Sequence, residues 1–140
     1  MMRQAETQIA VETRGKGLVD VTRRVAEWVR EQRMTTGLLT VFIRHTSASL
    51  VVQENADPSV LADLEAFFAR VAPEGGGRYA HEDEGPDDMP AHIRAALTCT
   101  SLCIPLSGGR LALGTWQGLY VFEHRERPHA RSVCLHLLGE

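Results

Sequence analysis

Apolar residues recur along this chain with two periods, and the period changes mark its elements. Residues 7–13, TQIAVET, alternate polar and apolar side chains as a half-buried strand does, and RGKG then breaks the pattern. In DVTRRVAEWVREQR, Val21, Val25, Trp28 and Val29 recur at helical spacing, with Asp20 placed to cap the first turn. LLTVFIRH follows as a strand with Leu39, Val41, Ile43 and His45 on one side. After the short TSA segment, SLVVQE reads most simply as the returning strand of a hairpin. ADPSVLADLEAFFARV then opens with Asp57 at the N-cap and Pro58 at the first helical position, and carries Leu61, Leu64, Phe68 and Val71 as an apolar stripe.

Between Pro73 and Pro86 the glycine-rich, acidic PEGGGRYAHEDEGP is too polar for a core and long for a simple connection. DDMPAHIRAAL reads as a short helix with Asp87 or Asp88 as cap, and the remainder as strands joined at SGGR and RERPHAR. The order is strand, helix, two strands, helix, loop, short helix, three strands. Hairpin connections predict an α+β fold: a single domain over residues 1–140, with a largely antiparallel sheet, two main helices and a short third. As one unbroken strand, LALGTWQGLYV sets Thr115 and Gln117 side by side in an apolar wall, where a ligand can serve as their partner; a bulge at either flanking glycine turns them to solvent instead.

Composition narrows the field. A length of 140 residues suits one domain with its own core. A net charge of -3 argues against a whole-protein field for nucleic acid or anionic membrane, and no run of apolar residues is long enough to span one. We expect a soluble, cytoplasmic protein with neither partner. Cys99, Cys103 and Cys134 lie among apolar residues without CxxC spacing and read as buried, reduced thiols.

The candidate chemistry lies in the polar middle. His45, His81 and His92 neighbour Asp57, Asp83, Asp87 and Asp88, and three imidazoles with an open fourth position suit a catalytic zinc; scattered histidines also occur as ordinary surface or core residues. Thr46, Ser47 and Ser49 form a hydroxyl-lined turn that can bind phosphate oxygens or cap local backbone groups. HTS lacks the GxSxG elbow of a serine hydrolase.

HTSASLVVQENADPSV, YAHEDEGPDDMPAHI, GGRLALGTWQGLYVFEHR and the final LLGE together resemble, in order and spacing, the YjbQ family, described as secondary thiamine-phosphate synthases. The resemblance covers essentially the whole chain. It implies an α+β fold assembled as a homotrimer, with His45, His81 and His92 in a metal or anion site. It also implies that Glu54, Asn55 and Asp57 match an ENxDP element, and Gly114, Thr115, Trp116 and Gln117 a GTWQ element. The expected activity is a weak or secondary thiamine-phosphate synthesis, acting on a small phosphorylated or pyrophosphorylated metabolite with Zn or Mg. In that reading Thr46, Ser47, Asn55, Asp57, Gly114, Thr115 and Gln117 contact substrate. The alternatives are a zinc hydrolase, in which Glu54 or Asp88 moves the proton, and a trimer that binds a metabolite without turnover. In a simple hairpin, His45 and Glu54 stand roughly 17 Å apart at ~3.3 Å per residue, so a shared ligand would need two subunits.

Overall fold

A computed structural model describes all 140 residues. Eight strands and three helices run in the order β1 (Arg3–Glu12), β2 (Gly17–Asp20), α1 (Thr22–Glu31), β3 (Gly37–Ile43), β4 (Ala48–Glu54), α2 (Pro58–Val71), α3 (Asp88–Leu97), β5 (Ser101–Ser107), β6 (Arg110–Leu111), β7 (Gln117–Glu123) and β8 (Ala130–Gly139). All pairings are antiparallel. The expected class therefore stands, but the strands divide between two sheets rather than one: β1-β8-β3-β5-β6 and β2-β7-β4.

The division follows from which side chains share a core. Leu39, Val41 and Ile43 of β3 and Val133, Leu135 and Leu137 of β8 meet Ala48 and Leu50 of β4 and Leu119 and Val121 of β7, with Val25 and Val29 of α1 in the same cluster. Burying alternate residues of both sheets against each other makes a sandwich core of the usual kind. The smaller sheet is covered on its second face too. Phe68 of α2 meets Phe122 of β7 edge to face at 5.5 Å between centroids, and α3 packs on β4. This explains why β7 is buried without alternation from Gly118 to Glu123. The α2 stripe is only half buried, and Val71 remains 45% exposed.

Three sequence expectations change. TSA does not close a hairpin: β3 pairs with β5 and β8 while β4 pairs with β7, so residues 44–47 carry the chain from one sheet to the other. RERPHAR does the same between β7 and β8, whereas SGGR does join the paired β5 and β6. LALGTWQGLYV is not one strand. Ala112 to Trp116 leave the sheet, Gln117 N–H donates to Gly114 O at 3.1 Å, and Thr115 and Gln117 are exposed rather than walled in. Cys99 and Cys103 are exposed and Cys134 half buried, because Cys103 and Cys134 point to the outer face of the larger sheet. That face also shows Leu38, Phe42 and Leu138, each more than 40% exposed.

Helix ends obey local chemistry. Asp57 accepts Ser59 N–H at 2.9 Å with Pro58 behind it, the N-cap arrangement expected. Asp20 accepts from Thr22 N–H at 2.9 Å at the start of α1. In the final LLGE, a Cβ on Gly139 would stand 2.2 Å from Thr36 O, so only glycine lets β8 pass the start of β3.

Candidate functional site

Helix α3 places Asp88 and His92 four residues apart on one face, and the preceding loop returns His81 to the same place. Asp88 Oδ2 lies 3.0 Å from His92 Nε2 and 2.5 Å from His81 Nε2. The Asp88 side chain is buried at 2% exposure; the imidazoles keep 42% and 31%. Each residue offers one ligand atom, and the three atoms lie within 4.8 Å of one another.

Both ends of this cluster are held from outside. His92 Nδ1 faces Thr46 O at 2.9 Å, and since a carbonyl only accepts, Nδ1 carries the proton. In the neutral ring Nε2 then directs its lone pair at Asp88, an orientation typical of metal-ligating histidines; in the imidazolium the same atom donates to the carboxylate. Asp88 Oδ1 is taken by Arg125 Nη1 at 2.5 Å, so Oδ2 alone faces the imidazoles. Arg125 also donates through Nε to Asp87 Oδ2 at 2.9 Å and through Nη2 to Glu84 O at 2.9 Å. Asp87 accepts Glu126 N–H as well, at 2.9 Å, and therefore pins the loop after β7 instead of capping α3.

The charges follow these contacts. Burial alone would raise the Asp88 carboxyl, but the hydrogen bond with His81 and the nearby cations hold it below the ordinary carboxylate value. The bond to Asp88 raises His81 above the ordinary imidazole value. Asp87 is likewise pulled down by Arg125 and Glu126 N–H against its burial.

His45 is not among the converging ligand atoms. Its Nε2 accepts Ser132 N–H at 2.7 Å, and Arg131 Nη1 stands 3.3 Å from Nδ1. Burial, followed by the Arg131 charge, lowers its pKa. Of the three expected imidazoles the fold thus brings together His81 and His92, with Asp88 in the third position. Beneath His45, Arg131 donates to Glu123 Oε1 at 2.7 Å and to Ser47 O and Oγ at 3.2 and 3.1 Å. Glu123 also accepts from Thr13 Oγ1 at 2.7 Å. Although burial would raise it, these donors keep Glu123 ionised below its ordinary pKa.

Glu54, Asn55, Asp57, Gly114, Thr115 and Gln117 stand together at the opposite end of the smaller sheet. Ala48 pairs with Glu123 and Glu54 with Gln117, so six strand steps, about 20 Å, separate this group from Ala48 at the other end of β4. Asn55 Nδ2 donates to Thr115 O at 3.1 Å, Gln117 Oε1 accepts Gly114 N–H at 2.8 Å, and Glu54 Oε2 accepts Ala56 N–H at 2.8 Å. Asn55, Gly114, Thr115 and Gln117 thus bind one another, Glu54 and Asp57 bind their own following backbone, and Trp116 projects at the tip, 64% exposed.

Arg125 and Arg131 carry much of the architecture, and sequence reading passed over both. The available signal was an arginine at each end of RERPHAR, the segment linking two strands.

Comparison with known proteins places the geometry in context. The family model described as UPF0047 protein YjbQ-like matches residues 7–140. A UPF0047 protein of Synechocystis is 55% identical over 99% of this chain and 94% of its own length. The UPF0047 protein YjbQ of Escherichia coli O157:H7 is 40% identical over the whole of both chains. Among solved structures, a YbjQ-like protein from Sulfolobus solfataricus superposes with a TM-score of 0.91 over the full length of both chains at 23% identity, a likeness of fold. A protein from Aeropyrum pernix gives 0.84 over 99% of each at 33% identity.

Proposed function

The chain belongs to the UPF0047 YjbQ-like family, and from its site we propose that it is a zinc-dependent enzyme acting on a small phosphorylated or pyrophosphorylated metabolite. One observation carries this reading. With His92 Nδ1 on Thr46 O, Nε2 of the neutral ring, Asp88 Oδ2 and His81 Nε2 turn three ligand atoms to one point, all within 4.8 Å of one another; a proton on Nε2 makes the 3.0 Å contact an imidazolium–carboxylate pair, and a divalent ion takes that proton's place. Two imidazole nitrogens and one carboxylate oxygen suit zinc with an open fourth position; magnesium prefers oxygen and water. His81, Asp88 and His92 would hold the ion, with Arg125 orienting Asp88 and Thr46 orienting His92.

Bound there, zinc supplies charge to a phosphoryl oxygen or to a leaving pyrophosphate. In the named form, thiamine-phosphate synthesis as a weak or secondary activity, that charge would assist pyrophosphate departure. The donor set equally suits activation of water, which favours phosphoester hydrolysis as the second reading. Thiamine-phosphate formation and hydrolysis of a phosphoester panel, assayed with and without added Zn or Mg, separate them. Product that depends on zinc and disappears in His92→Ala supports an enzyme; binding without turnover in every assay leaves a metabolite-binding protein.

Assembly as a homotrimer belongs to the same proposal. The outer face of the larger sheet exposes Leu38, Phe42 and Leu138 together with Cys103 and Cys134, an apolar surface suited to another copy. The Glu54 to Gln117 group, about 20 Å from Ala48 along its own chain, would reach a ligand only on a neighbouring subunit.

A further inference from the structure

The crossing between the two sheets has a chemistry of its own. Because residues 44–47 leave one sheet before joining the other, the N–H groups of His45, Thr46 and Ser47 donate to no acceptor in the chain. The carbonyls of this segment behave differently. Thr46 O is turned onto His92, and Ser47 O onto Arg131 and His124 N–H. In a trans peptide the N–H points opposite to the C=O, so Ser47 N–H is directed away from His92.

A cavity of about 510 Å³ opens at this crossing, lined by residues 42–47 and Thr100. No carboxylate lines it. The guanidinium of Arg44 forms no ion pair, and its one side-chain contact is Gln8 Oε1 at 3.3 Å. The hydroxyls of Thr46 and Thr100 have no partner in the chain, although both residues line the cavity. The wall behind is stiff, because the buried Arg131–Glu123 pair grips Ser47 through both its carbonyl and its hydroxyl. The other cavities near the histidine cluster carry carboxylates. The one along Gly75–Gly77 includes Glu82, and the one beside Arg125 mixes Asp83 and Glu84 with Arg125 and Arg127.

We infer that this crossing is the subsite for the phosphate group of a small phosphomonoester, with Arg44 and Thr100 as the residues that select for it. The inference rests on the proposed action on a phosphorylated metabolite and says where its anion sits. Phosphate needs several donors and a cation without competing carboxylates, and the crossing supplies one free guanidinium, hydroxyls and unpaired backbone N–H groups. Thr46 joins the two parts of the site: the residue lines the cavity while its carbonyl holds His92.

The test is a titration of the whole protein with inorganic phosphate and with pyrophosphate, followed by amide NMR at constant ionic strength. Zinc-loaded and zinc-free samples are compared, and zinc content is measured on each. Saturable shifts confined to residues 44–47 and 100 are expected, with affinity for phosphate about tenfold lower in Arg44→Gln and reduced in Thr100→Val. Both side chains are exposed, so neither change should disturb the fold. Absence of saturable binding, shifts at Gly75–Tyr79 instead, or unchanged affinity in both variants would overturn the subsite. Phosphate bound here by protein that takes up no zinc sustains the subsite and removes the metal from the proposed function. Zinc bound without phosphate does the reverse.

Discussion

Replacing His124 with glutamine should flatten the dependence of stability on pH, because the histidine is buried in its neutral form. It is fully buried, packed against Phe122 with centroids 4.4 Å apart and the rings tilted by 50°, and Nε2 lies 2.9 Å from Ser49 Oγ. Burial, and then the charge of Arg94, lower its pKa from 6.5 to about 3. The unfolded chain takes up a proton as pH falls through 6.5, whereas the folded protein does not until about 3. The contribution of neutral His124 is therefore complete above pH 6.5 and is lost on acidification at about 1.4 kcal/mol per pH unit. From pH 7.5 to 4.5 the loss integrates to about 2.7 kcal/mol. Glutamine keeps an amide for Ser49 but does not titrate. Urea unfolding of both proteins at one concentration, followed by tryptophan fluorescence, measures the difference directly. The wild type should lose about 2.7 kcal/mol more than His124→Gln over that range. Parallel curves would refute a histidine held neutral by burial.

Removing one partner of the buried Arg131–Glu123 pair by Arg131→Met should cost about 3–5 kcal/mol in denaturant unfolding, since the carboxylate would be left buried without its cation; a loss under about 1 kcal/mol would show that the carboxylate finds other donors. Asp57→Ala should cost about 1 kcal/mol through the lost cap of α2, read by the same method, and an unchanged midpoint would contradict the capping role. Light scattering should give a trimer mass for the wild type and a monomer for a protein carrying Leu38→Lys with Phe42→Lys, whereas a wild-type monomer at micromolar concentration removes the outer sheet face from any interface.

The sequence periods located every helix and the long strands, because alternation and 3.6-residue spacing record which side of an element is buried. They did not say which strand lies beside which. A four-residue link between β3 and β4 fits a hairpin and a corner between sheets equally well, and only the sharing of one core by Leu39 and Leu50 from opposite layers decides it. The short β2 and β6 fell below the length at which alternation is visible. The site was legible to a similar depth. His81 and His92 stood out as residue types, and the i, i+4 spacing of Asp88 and His92 was available once α3 was assigned. That Asp88 replaces His45 depends on where Ser132 N–H lies, a contact 87 residues away in the chain. Arg125 was hidden for the same reason: its partners Glu84, Asp87 and Asp88 are about forty residues earlier.

If His81, Asp88 and His92 hold a divalent ion without His45, the metal content of the purified protein and of its histidine variants will follow those three residues alone. Elemental analysis should find zinc in the wild type and in His45→Ala, and little in His92→Ala or His81→Ala. Hydrogen exchange in the same samples should show residues 75–86 loosened where zinc is lost, since the ion offsets the repulsion of Glu82, Asp83, Glu84, Asp87 and Asp88. Full zinc in His92→Ala with an equally protected loop, or loss of zinc only in His45→Ala, would contradict the account.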